Sequence, residues 1–94
     1  MSLDEVRAAI DRIDDQIVVL LAQRQEQVRA AAAFKSDDAA VRAPARRAAV
    51  IARLRQRAEE EGVHPDVVAA TYTAMIDAFI ALELGVLHAH EHPG

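Results

Sequence analysis

Leu3 to Phe34, LDEVRAAIDRIDDQIVVLLAQRQEQVRAAAAF, is the stretch that decides the fold. It reads as one helix with an apolar heptad seam. Leu3, Ile10, Ile17, Arg24 and Ala31 fall at the a positions; Val6, Ile13, Leu20, Gln27 and Phe34 fall at the d positions. Such a stripe buries itself against partner helices. In its fourth heptad it turns polar, with Arg24 and Gln27 where apolar residues are expected. A guanidinium on a buried seam is costly unless an anion meets it. The break points to an anion pocket in a helical bundle, or to a polar residue that sets the register of packed helices.

Outward from the seam, Ser2 and Glu5 form a capping box at the helix start. At about 1.5 Å per residue the helix would be about 48 Å long. A compact chain of this size has a diameter near 32 Å, by the order-of-magnitude scaling of the radius of gyration. A helix longer than its globule must bury its seam on another chain, so the sequence predicts an obligate homodimer.

The rest of the chain supplies two more helices. Lys35 to Ala43 reads as a loop, with Ser36, Asp37 and Asp38 as turn formers. Pro44 suits the first position of a second helix, 44–61, whose buried face is Val50, Ile51, Leu54 and Ala58 and whose stop is Gly62. Pro65 and Asp66 open a third helix, 65–88, with Tyr72, Met75, Ile76, Phe79 and Ile80 on its apolar face and Glu83 intruding on it. Residues 89–94 read as a flexible tail. His88 and His92 have metal-chelating i,i+4 spacing, but Pro93 disfavours a helical His92, so no metal site is expected. The expected fold is all-α, one domain of three helices, long-short-long.

Composition narrows the function. The 94 residues are 52% hydrophobic but only 3% aromatic, so aliphatic side chains do the packing. No Cys is present, which removes disulfides and thiolate metal sites and fits a reducing cytoplasm. The reading finds no apolar run near 20 residues and expects a soluble protein without membrane contact. A net charge of −4 argues against a nucleic-acid partner. Local Arg clustering on an acidic chain suits a small anionic ligand better.

The chemical signal lies in Arg7, Arg24, Lys35 and Glu83. On a continuous helix Arg24 and Lys35 differ by about 20° in phase and lie about 16 Å apart, so long side chains can converge on one ligand. Arg7 lies about 26 Å from Arg24 on the same helix and reaches such a site only from an antiparallel second copy. Glu83 serves equally well as a buried ion-pair partner of Arg24. Spacing alone leaves these alternatives open.

The segment Arg7-Ala8-Ala9-Ile10-Asp11-Arg12-Ile13-Asp14-Asp15-Gln16-Ile17, followed by Leu20-Leu21-Ala22-Gln23-Arg24 and by Phe34-Lys35, resembles the first helix of the all-helical (AroQ-class) chorismate mutases. The resemblance spans about residues 3–87. Ala39 to Arg46 is especially similar to the isochorismate-pyruvate lyase subgroup of that family. This resemblance implies an intertwined homodimer and a dianionic substrate held by Arg24, by Arg7 from the other protomer and by Lys35. Arg46 matches an arginine lining the site, Phe79 replaces a small polar residue there, and Glu83 stands where most members have Gln. No cofactor is implied.

A [3,3] rearrangement of chorismate to prephenate needs no nucleophile or metal. It needs a restrained substrate and stabilisation of separated charge, and Lys35 is the natural donor to the ether oxygen. Pyruvate elimination from isochorismate asks for nearly the same site. Ala43 and Arg47 stand where mutases place acidic partners for the ring hydroxyl, which moves the chain toward the lyase; Glu83 moves it back. The sequence places chorismate mutase first, isochorismate-pyruvate lyase second, and a non-catalytic helical dimer third.

Overall fold

A computed structural model of the chain describes residues 1–91. The described residues form α1 (Leu3–Ala32), α2 (Asp38–Arg42), α3 (Pro44–Glu61) and α4 (Pro65–Glu91). The all-α class and the three long helices agree with the sequence reading; α2 is additional. The chain divides into two compact units, one of residues 1–31 and one beginning at Ala32.

In the first unit α1 starts on its cap. The Glu5 amide donates to Ser2 Oγ at 3.1 Å, and Val6 donates to the Ser2 carbonyl at 3.1 Å. Asp4 and Glu5 in the first turn and Arg29 in the last suit the helix dipole. No residue of α1 is buried: Leu3, Val6, Ile10, Ile13, Ile17 and Leu20 are 37% to 61% exposed. The seam is therefore a continuous apolar stripe open to solvent. Ala32 ends the helix, closed by the Lys35 amide on the Ala32 carbonyl at 3.1 Å. Phe34, taken from the sequence as the last d position, lies outside the helix and is 91% exposed.

The second unit contains the buried core. Val41 of α2 and Val50 and Ala58 of α3 are its buried apolar residues, with Ile51 and Leu54 half-buried beside them. The segment expected to be pure loop contains one helical turn. Asp37, in extended conformation, accepts from the Ala40 amide at 2.8 Å and starts α2. Ala43 ends α2 in the left-handed region (φ 36°) and at once precedes Pro44 at the start of α3. Five residues leave little periodicity to recognise, which is why the sequence reading passed over α2.

Gly62 stops α3 with φ 76°, and the Val63 amide donates to the Ala58 carbonyl at 2.8 Å. His64 then offers its carbonyl to Val67 and Val68 at the start of α4. Arg55–Asp66 and Arg47–Asp77 step outward from this turn on both helices, so α3 and α4 pack as an antiparallel hairpin. α4 continues through Glu91, three residues past the expected end near 88, and the remainder of the expected 89–94 tail lies outside the described residues. His92, half of the chelating pair considered above, lies outside the described residues.

Residues 65–89 are long and apolar enough to cross a membrane by length and composition, where the sequence pattern led to the expectation of no apolar run near 20 residues. The acids in that stretch are Asp66, Asp77 and Glu83. Each pairs with a cation on another segment: Arg55, Arg47 and Lys35 respectively. Those pairings tie α4 to α3 and to the connection.

Candidate active site

Glu83 is the buried charged residue among the described residues, with 8% of its surface exposed. It sits on the half-buried face of α4 that includes Tyr72, Ile76, Phe79 and Ile80, because three- and four-residue spacing returns it to that side. Its partner is Lys35, whose Nζ donates to Oε2 at 3.1 Å and to Oε1 at 3.5 Å. A carboxylate taken out of water this far requires such a counter-ion. The pair places a primary ammonium, a quarter exposed, at the edge of an apolar helix face.

Lys35 reaches this position from the connection between α1 and α2. The helical-phase argument made from the sequence, with Lys35 at the end of a continuous helix, does not hold, because α1 stops three residues earlier. The hydrogen bonds to Glu83 locate it instead.

Phe79 lies one turn before Glu83 and is half-buried. Arg46 is exposed on the flank of α3, about a quarter-turn from the Val50–Ala58 face. Thus Lys35 and Glu83 are joined, Phe79 shares their helix face, and Arg46 stands on the same unit without contributing to that ion pair. Arg7 and Arg24 belong to α1. Arg7 is exposed in its second turn; Arg24 is partly covered, about 26 Å further along the axis.

Two further polar pairs were not anticipated. Arg47 of α3 donates from Nη1 to Asp77 Oδ1 of α4. That hydrogen bond holds the Asp77 carboxyl below its ordinary value and raises the Arg47 guanidinium; charge attraction adds to both shifts and desolvation opposes them. His88 Nε2 lies 3.1 Å from Asp38 Oδ1. The usable signal for Arg47–Asp77 was opposite charge at equal separations on either side of Gly62; the Asp38–His88 contact offered none. The sequence reading considered Arg47 only as a departure from a pattern and His88 only as a metal ligand.

Chemically, the Lys35–Glu83 pair offers a positive donor to an anion or an oxygen developing negative charge, with no thiol or bound group required. The chain matches the family described as chorismate mutase type II over residues 6–84. It is also 39% identical over 82 residues to the isochorismate pyruvate lyase of Pseudomonas aeruginosa, an alignment covering 87% of this chain and 81% of that protein. The chain belongs to the chorismate mutase type II family. The match runs from Val6 to Leu84 and so includes α2 and every candidate site residue. It is an enzyme of that family, a chorismate mutase or an isochorismate pyruvate lyase.

Proposed function

We propose that the protein is an isochorismate-pyruvate lyase. The sequence alone placed the mutase first; similarity to a lyase across 87% of the chain supports the reverse order. In the lyase reaction a ring hydrogen of isochorismate moves to the methylene end of the enolpyruvyl group as the ring C–O bond breaks. The C–O pair becomes the pyruvate carbonyl, the enol π pair forms the new methyl C–H bond, and the pair left by the ring hydrogen completes the aromatic ring, so the products are pyruvate and salicylate.

The observation that supports this use of the site is the Lys35 ammonium held at Glu83 beside Phe79. Lys35 then donates to the ether oxygen, where negative charge grows. Arg24, with Arg7 of the partner subunit, binds the two substrate carboxylates, since guanidinium forks engage carboxylates bidentately. Arg46 lines the entrance and Phe79 packs on the ring. An intertwined homodimer formed through the open α1 seam belongs to this reading, as does a soluble cytoplasmic location.

Incubation with isochorismate is expected to release salicylate and pyruvate in equal amounts. The second reading, chorismate mutase, is favoured by the family match alone and predicts prephenate from chorismate. Neither product between pH 5 and 8 would overturn both and leave the non-catalytic dimer.

A further inference from the structure

Lys35 is not alone in tying the connection to α4. Asp38, the first residue of α2, meets His88 on α4, five residues and about 7.5 Å beyond Glu83. A carboxylate only accepts, so Nε2 carries the hydrogen and donates it. The two contacts bracket the segment: Glu83 holds Lys35, and His88 holds the helix that follows it three residues later.

A one-turn helix has almost no stability of its own. Docking fixes α2 through buried Val41, the Asp37 cap and the His88 contact. The other charged groups on neighbouring elements are committed elsewhere or bear the same sign as a protonated imidazole. Lys35 is on Glu83, Asp37 on the Ala40 amide and Arg47 on Asp77, while Arg42 and Arg46 flank the α2–α3 junction. Asp38 is the carboxylate that His88 contacts.

We infer that His88 is a positioning residue for Lys35: by clasping Asp38 it keeps the connection docked on α4, with the Lys35 ammonium already at Glu83. The kinetic consequence of the clasp rests on the proposed reaction; the clasp itself does not. A connection that is docked for only part of the time raises KM by the inverse of the docked fraction and leaves kcat in place.

The test uses the full-length protein. Hydrogen exchange of the Val41 and Ala43 amides, which close α2, is measured at pH 7.5 and corrected for intrinsic exchange. Both side chains of the clasp are about half exposed, so His88→Ala should lower protection only about two- to fivefold. His88→Gln, which still donates, should keep protection close to wild type. KM for isochorismate, or for chorismate if that is the substrate turned over, should rise in His88→Ala by the ratio of the wild-type to the variant docked fraction, at constant kcat.

Exchange unaltered by His88→Ala would overturn the clasp. A lower docked fraction with unaltered KM would overturn the positioning role, as would a fall in kcat at constant KM. Absence of turnover by the wild type would refute the proposed reaction instead, and the exchange measurement would still decide the clasp.

Discussion

Truncating Ile13 to Ala tests the proposed use of the α1 seam. Ile13 is 54% exposed on a helix with no buried residue, so a second copy has about half of that side chain left to cover. Removing three carbons of a fully buried side chain costs about 2.4 kcal/mol at about 0.8 kcal/mol each. The half newly covered on pairing accounts for about 1.3 kcal/mol of that. A two-fold interface counts the loss twice, giving about 2.6 kcal/mol, or a roughly 80-fold weaker dimer.

The isolated helix gains slightly from the change, because Ala has the better helix propensity, so misfolding of α1 would not mimic the result. Sedimentation equilibrium over a dilution series measures the dimer constant, with Asp15→Ala on the opposite face of α1 as an unchanged control. A shift below about threefold, equal shifts for both variants, or a wild type monomeric throughout would refute the seam as the pairing surface.

Three other outcomes follow from the second unit. Glu83→Gln leaves Lys35 a hydrogen-bond acceptor but removes its counter-charge, so turnover at pH 7–8 should be equal to or above wild type; a variant inactive at every pH would exclude the assigned role. Asp77 has its pKa lowered by Arg47, so its contribution to stability is complete above the ordinary carboxylate range and is lost as pH falls through the lowered value. Denaturation from pH 7 to 2 should show wild type and Asp77→Asn differing at neutrality and converging in acid. A methyl group at Gly85 meets nothing within 4 Å, and Gly85→Ala should raise stability by about 0.5–1 kcal/mol in thermal melts; a loss would mean that another surface packs against that face.

The long helices were legible because they rest on redundant signals. The heptad from Leu3 to Leu20, the Ser2 cap, Pro44 at a helix start and Gly62 at a stop each act locally and agree with one another. The candidate site was legible as a set of residues but not as a geometry. Arg24 stood out on its seam and Glu83 on an apolar face, since either is costly there without a partner. Which cation answers Glu83 depends on where α1 ends. The end of α1 at Ala32 is marked by no Gly or Pro, only by a run of Ala that continues the helical pattern. The Asp38–His88 contact joins residues fifty apart and leaves no periodic trace at all.

The acids of residues 65–89 bear on more than the pairing of α4 with its neighbours. Residues 65–89 carry the length and apolarity of a bilayer-crossing segment, and Asp77 sits near the middle. An aspartate at the centre of an inserting helix costs about 2.5–3.5 kcal/mol. The carboxylate that meets Arg47 is thus also a charge that raises the cost of placing this helix across a bilayer.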